Sequence, residues 1–269
     1  MLVRSWNVFH GNANPPERRA YLDEMVRLAS ADRPDVLCLQ EVPVWALDHL
    51  SDWSGMDAVG DVAAPPRLGP LPSTASLGRA LTSLSHGLLR SAFAGQANAI
   101  LVRPGLRVVA HDAIALNARR FRRAQSAWLG LDLVARLAWA KERRICQAVR
   151  LLDGDRALLV ANLHATSYPS DERLADAELL RAATFAVAVA QPDDVCVLAG
   201  DFNVRTARSR TLADLAGPEW GFSGDAPGID HILVRGASAT PVRRWPDERR
   251  ARGDRLLSDH APVDMEIEA

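Results

Sequence analysis

The chain is poor in cysteine, lysine and long hydrophobic runs, and it carries almost no net charge. Three cysteines are an odd count without metal-ligand spacing, which argues against a disulfide framework or a thiolate-held metal. Cys38, Cys146 and Cys196 each lie inside an apolar, strand-like run and read as buried free thiols of a reducing compartment. The most apolar helical stretch, residues 182–190, is short and alanine-rich, so no membrane span is expected. The opening Met1-Leu2-Val3-Arg4-Ser5-Trp6 lacks the charged-then-apolar order of a secretion signal. These absences predict a cytoplasmic protein. A formal charge of −1 gives no whole-protein basic field for non-specific nucleic-acid binding and leaves only local basic clusters.

What is present suits one large core. Apolar residues make up 48% of 269, so residues 1–269 are expected to form a single domain. A loop or cover insertion is expected at about 64–95, where Pro65, Pro66, Pro70 and Pro72 fall in a stretch without clear periodicity. Strands are expected over residues 3–8, 36–39, 98–102, 108–116, 128–134, 195–199, 229–234 and 263–267. The runs 145–152 and 157–163, joined by Asp153-Gly154-Asp155, read as a hairpin. Helices are expected from Asn14-Pro15-Pro16-Glu17 onward, over Pro43 to Leu50, after a Ser170 cap, and over Thr206 to Leu215. Strands dominate, with helices between them. That order predicts an α+β chain folded as a two-sheet, mainly antiparallel sandwich with helices outside.

The chemistry gathers at strand ends. Apolar runs finish in Asn7, Glu41, Asn162 with His164, Asp201 with Asn203, Asp230 with His231, and Asp259 with His260. Such acids, if convergent, repel one another unless a divalent cation neutralises them. Oxygen-rich, thiolate-free ligands select Mg²⁺ or Mn²⁺ over zinc. A cation, a water-orienting acid and phosphate-binding imidazoles together describe hydrolysis of a phosphate ester.

The motifs Ser5-Trp6-Asn7-Val8, Leu39-Gln40-Glu41, Asn162-Leu163-His164, Gly200-Asp201-Phe202-Asn203, Ile229-Asp230-His231-Ile232 and Ser258-Asp259-His260 resemble those of the endonuclease/exonuclease/phosphatase superfamily, in that family's order. The resemblance implies a four-layer α/β/β/α sandwich with the site at one end of the sheets. It implies Glu41 as principal metal ligand, with Asn7 beside it and Asp259 serving the metal directly or through water. It implies that Asp201 orients or deprotonates the attacking water and that Asn203 holds the water or a phosphate oxygen. His164 would face the phosphoryl group, and His260 would bind phosphate with Asp230 fixing its tautomer. Asn162 and Arg143 would help shape the substrate side.

The remaining conspicuous residues have plainer readings. Arg119, Arg120, Arg122 and Arg123, interleaved with Phe121, read either as a solvated face or as a grip on substrate phosphates. His231 reads as structural, and His10, His49, His86 and His111 as surface or structural. Trp6, Trp45, Trp128 and Trp139 read as core. The expected activity is metal-dependent hydrolysis of a phosphodiester, as a nuclease or phosphodiesterase. The alternatives are a phosphomonoesterase acting on a small, lipid or inositol phosphate, and a non-catalytic module that binds a phosphorylated ligand. The expected partners are therefore nucleic acid or a small phosphoester.

Overall fold

The computed structural model describes residues 1–68, 71–86, 93–224 and 226–268. In chain order the elements are β1 (Leu2–Asn7), β2 (Ala13–Asn14), α1 (Leu22–Ser30), β3 (Val36–Val42), a 3-10 turn (Val44–His49) running into α2 (Leu50–Ser54), and β4 (Asp57–Ala64). There follow β5 (Arg67–Leu68), β6 (Leu71–Pro72), α3 (Ala75–Leu84), β7 (Gln96–Val102), β8 (Arg107–Ala115), α4 (Arg119–Trp128) and α5 (Leu133–Lys141). Next come β9 (Ile145–Asp153), β10 (Arg156–His164), α6 (Arg173–Val189), β11 (Val195–Asp201), α7 (Arg210–Leu215) and β12 (Asp230–Arg235). The chain closes with β13 (Arg243–Arg244), β14 (Ala251–Arg252), β15 (Arg255–Leu257) and β16 (Val263–Glu266).

The contacts divide the chain into two compact units. The first comprises Met1–Leu106 with Arg243–Asp264. Its sheet has the order β13-β16-β1-β3-β7-β4, with β1 and β3 parallel and β13 with β16, β3 with β7 and β7 with β4 antiparallel. Tyr21, Leu22, Met25, Val26 and Ala29 form the inner stripe of α1 and pack with Trp6, Leu37, Leu39 and Leu101 of the sheet. Arg4 is fully buried at the edge of this core. Its guanidinium donates to Asp264 at 2.7 and 2.8 Å and to Asp32 at 2.5 and 2.9 Å, and to the Ala29 carbonyl at 2.5 Å. One buried cation thereby joins β1, the end of α1 and β16, and the Arg4 hydrogen bond holds the Asp32 carboxyl well below the usual carboxylate range.

The second unit comprises Arg107–Val242 with Met265–Ala269. Its sheet has the order β12-β11-β10-β9-β8, with β10 and β11 parallel and the other pairs antiparallel. The predicted hairpin forms as read, with β9 and β10 paired from Asp153–Arg156 onward. Ala175, Leu179, Ala182, Ala183 and Ala186 of α6 cover Leu159, Ala161, Leu163 and Leu198 of the sheet. Two mainly antiparallel sheets, each with its own helices, make the mixed architecture of an α/β/β/α sandwich.

Several local expectations are corrected. The Asn14-Pro15-Pro16 segment does not start a helix: Asn14 pairs in β2, and α1 begins at Leu22. Residues 128–134 are no strand but the end of α4, a turn and the start of α5, because Asp132 caps α5 by accepting from the Ala135 N–H at 2.7 Å. Ser170 does not cap α6, which begins at Arg173 after Asp171 accepts its N–H. The Thr206 helix shortens to α7, capped by Ser209. β4 had no sequence signal, since its exposed and half-exposed residues show no strong alternation. Within the expected 64–95 insertion the chain forms β5, β6 and α3, while residues 69–70 and 87–92 lie outside the described ones. The cysteines are buried as expected, and desolvation raises the Cys38 thiol far above its usual range and pushes that of Cys196 up to about 12.

Candidate active site

Each unit presents one group of polar strand ends. In the first unit β1 delivers Asn7 beside Gln40 of β3, and the register of β3 then shifts before Val42. Glu41 sits at that bulge with φ at 54°, a left-handed conformation that non-glycine residues seldom adopt. The bulge turns the Glu41 carboxylate toward Asn7 Nδ2 at 3.4 Å and His10 Nε2 at 3.2 Å. Phe9 and His10 are also left-handed, and the Phe9 N–H donates to Asn7 Oδ1 at 3.0 Å. Ser258, left-handed as well, donates its hydroxyl to the Asn7 carbonyl at 2.7 Å and accepts the His260 N–H at 3.1 Å. The His260 carbonyl accepts from Trp6 Nε1 at 2.9 Å. The Ser258-Asp259-His260 turn is thus tied to the end of β1, with Asp259 exposed and His260 half-buried. Strained backbone concentrated around Asn7, Glu41 and Ser258 marks a functional site more often than a structural one.

In the second unit three neighbouring strands end on one row. His164 of β10 pairs with Asp201 of β11, and Asp201 pairs with Asp230 of β12. Cross-strand partners share a face, so the imidazole and both carboxylates project on one side, joined by Asn162 two positions back along β10. His164 Nε2 lies 3.5 Å from Asp201 Oδ2, both side chains being almost fully buried. Carboxylate oxygens of Asp201 and Asp230 come within 4.8 Å of each other. Asn203, left-handed at φ 52°, donates its backbone N–H to Asp201 Oδ1 at 3.1 Å and its Nδ2 to the Ala165 carbonyl at 3.0 Å. Gly200, at φ 143°, makes this row possible: a Cβ there would lie 1.9 Å from the Leu163 carbonyl oxygen.

His231 falls on the opposite face, as its alternation with Asp230 predicts. Its Nδ1 accepts the Ala226 N–H at 3.0 Å and its Nε2 meets the Val204 carbonyl at 3.0 Å, which is a structural role.

The arginines are rearranged relative to the reading from sequence. Arg143 is exposed, and its neighbour Arg144 is the buried one. Arg144 Nη1 lies 2.9 Å from both ring nitrogens of His164, its Nη2 donates to Glu142 at 2.7 Å, and its Nε has no hydrogen-bond partner. Alternation along β9 does not single out Arg144, because residues 145–149 are all buried; its meeting with His164 comes only with folding. Arg119, Arg120 and Arg123 are exposed on α4, and Arg122 donates to the Trp139 carbonyl at 3.4 Å. None of these contacts carries the α4 arginines to the His164 row. Sequence reasoning also passed over His10, buried beside Glu41, and Glu178. Glu178, fully buried on α6, accepts from Trp139 Nε1 at 2.5 Å, the Thr166 N–H at 2.6 Å and the Thr166 hydroxyl at 2.8 Å. Desolvation raises its carboxyl above the ordinary range against the opposing pull of those donors. It clamps the segment that follows His164. Trp6 and Trp139 are core as expected, and Trp128 is not, being 79% exposed.

A sequence model of the Endonuclease/Exonuclease/phosphatase family matches residues 5–260. A comparison with curated proteins finds no match. Solved structures similar to the chain include an endonuclease/exonuclease/phosphatase from Beutenbergia cavernae (TM-score 0.66, 16% identity, covering 100% of this chain and 71% of that one). The Bacteroides thetaiotaomicron mannosyl-6-phosphatase is similar at TM-score 0.63 and 16% identity over 100% of both chains. D. rerio TDP2, complexed with a single-strand DNA product, is similar at TM-score 0.61 and 13% identity over 100% of this chain and 99% of that one. At such identities the likeness shows the fold alone.

Proposed function

The chain belongs to the endonuclease/exonuclease/phosphatase family, and from that premise we propose that it hydrolyses a phosphodiester with Mg²⁺ or Mn²⁺. The observation that carries the reading is the row His164, Asp201 and Asp230 on three adjacent strand ends of one sheet. Two carboxylates within 4.8 Å repel unless positive charge lies close, and an oxygen-rich, thiolate-free set suits a hard cation. Glu41, turned out of its strand beside Asn7, fits the same requirement in the other unit.

In this proposal each residue keeps the role that its family motif implies. Glu41, Asn7 and Asp259 hold the cation, which when bound neutralises charge on a phosphoryl oxygen. Asp201 orients the attacking water and accepts its proton. Asn203, with an Nδ2 proton committed to the Ala165 carbonyl, keeps its side-chain oxygen for that water. His164, in contact with the Arg144 guanidinium and near the Asp201 carboxylate, faces the phosphoryl group and stabilises its charge, and Arg144 adds fixed positive charge beside it. His260, tied to the end of β1 through its carbonyl's hydrogen bond from Trp6, binds phosphate.

A diester fits this acid-rich set better than a monoester. A diester carries one negative charge, whereas a phosphate monoester carries about 1.5 to 2 at neutral pH. The phosphatase named among the similar structures keeps the monoester as the second reading. The test is a panel of oligonucleotides, p-nitrophenyl diesters, sugar phosphates and inositol phosphates, each with Mg²⁺ and Mn²⁺ and with Asp201→Ala as blank. Diester cleavage without release of phosphate from monoesters supports the proposal. Free phosphate from monoesters with intact diesters transfers it to the second reading, and no turnover by any metal refutes both.

A further inference from the structure

The α4–α5 hairpin has a solvent face that a globular enzyme has no internal use for. Its inner side is anchored: Leu131, Ala135 and Trp139 pack with Leu174, Phe121 meets Trp139 edge-on, and Ser126 is buried. Its outer side exposes Trp128 at 79%, Leu133 at 70%, Val134 at 64% and Leu137 at 62%. Trp128 ends α4, and Leu133, Val134 and Leu137 fall within the first turns of α5. The exposed apolar residues therefore flank the connecting turn, Trp128 also bordering the groove lined by Phe121, Leu129, Asp171 and Glu172. Arg119 and Arg120 at the start of α4, with Lys141 and Arg143 at and beyond the end of α5, are exposed at the opposite end, where Glu142 is exposed too but paired with Arg144; Arg123 is exposed midway along α4, and Arg136 among the apolar residues of α5. The one acid between 119 and 141, Asp132, is engaged in capping α5.

An apolar tip behind a basic collar is the layout of a segment that enters a lipid interface, with tryptophan and leucine below the headgroups and arginine among them. We propose that this hairpin docks the protein on an anionic lipid surface. The charge distribution selects that occupant over a second copy of the chain. In a two-fold pair the same patch meets itself, which would set one basic collar against the other, whereas an anionic bilayer complements it. The hairpin also reaches the site's own unit. Its two ends are clamped by Asn117, which donates to the Glu142 carbonyl at 2.6 Å and accepts the Arg144 N–H at 2.9 Å. Arg144 is the residue that touches His164.

The experiment is sedimentation of the full chain with vesicles of phosphatidylcholine, with and without about 30% phosphatidylserine. Binding is expected to the anionic vesicles only, and to weaken in high salt. Arg120→Gln with Arg123→Gln is expected to lower the partition constant about 30-fold, at ~1 kcal/mol per basic residue. Trp128→Ser with Leu137→Ser is expected to lower it at least about 10-fold. Brominated phospholipid should quench a component of the fluorescence that Trp128→Phe removes, a readout independent of any effect on folding. Equal binding to neutral vesicles, unchanged binding by the Trp128→Ser, Leu137→Ser protein, or a concentration-dependent dimer abolished by Leu137→Ser would each overturn the proposal.

Discussion

Replacing Gly200 by alanine tests whether close approach of β10 and β11 sets the row of His164, Asp201 and Asp230. The added Cβ would lie 1.9 Å from the Leu163 carbonyl oxygen, against an ordinary contact of about 3.5 Å, so the strands must part by more than about 1 Å. The backbone angle of 143° adds strain of about 1–3 kcal/mol, and the overlap about as much again, giving a loss of roughly 4 kcal/mol. In a chain of this size that is a fall in melting temperature of roughly 8–16 °C by scanning calorimetry. Gly154→Ala separates strain from overlap. That glycine has φ at 59° in the β9–β10 turn with nothing within 4 Å of a Cβ, so only about 1 kcal/mol, or ~2–4 °C, is expected. Because Leu163 pairs with Gly200 and the next pair is His164 with Asp201, a shift of about 1 Å should also cost Gly200→Ala about 100-fold in turnover. If Gly200→Ala melts no lower than Gly154→Ala, the reasoning from close approach is wrong.

Other outcomes follow from the same contacts. Arg144→Ala removes the guanidinium beside His164, and steady-state kinetics should show kcat falling about 10- to 100-fold, with melting much less affected because the site already leaves Arg144 Nε unpartnered. Glu178→Ala leaves Trp139 Nε1 and both Thr166 donors without their buried acceptor, which should cost about 3 kcal/mol or more by urea unfolding, while an exposed control such as Glu219→Ala should change little. Asp32, its carboxyl lowered by the Arg4 hydrogen bond, contributes stability that is complete above its unfolded value of 3.8 and disappears as pH falls toward the folded value. Asp32→Asn should therefore flatten the acid limb of the stability profile below about pH 4, by no more than about 1 kcal/mol because the side chain is 42% exposed.

How much of this was legible in sequence depended on what each residue answers to. Asn7, Glu41, His164 and Asp201 stood out because they interrupt apolar strands, and strand position is a local property. The same locality exposed the β9–β10 hairpin and set His231 apart from Asp230 by simple alternation. Residues 128–134 misled because Trp128, Leu133 and Val134 look like a strand core, while the cap at Asp132 and the burial of the other face decide for helices. Arg144 and Glu178 were overlooked because their partners are 20 residues away for one and 12 to 39 for the other, and only folding brings them to His164, Thr166 and Trp139. The left-handed turn at Glu41 is likewise imposed by the register shift against β7, not by its own side chain.

The central claim is that these acids serve a divalent cation in phosphoester hydrolysis. Its most direct test is cleavage of bis(p-nitrophenyl) phosphate by protein stripped with chelator and titrated with Mn²⁺, side by side with Glu41→Gln and Asp201→Ala. The expected outcome is no cleavage in chelator, saturable recovery with Mn²⁺, a right-shifted titration for Glu41→Gln, and loss of turnover by orders of magnitude for Asp201→Ala. Cleavage that persists in chelator, or that both variants retain in full, would contradict it.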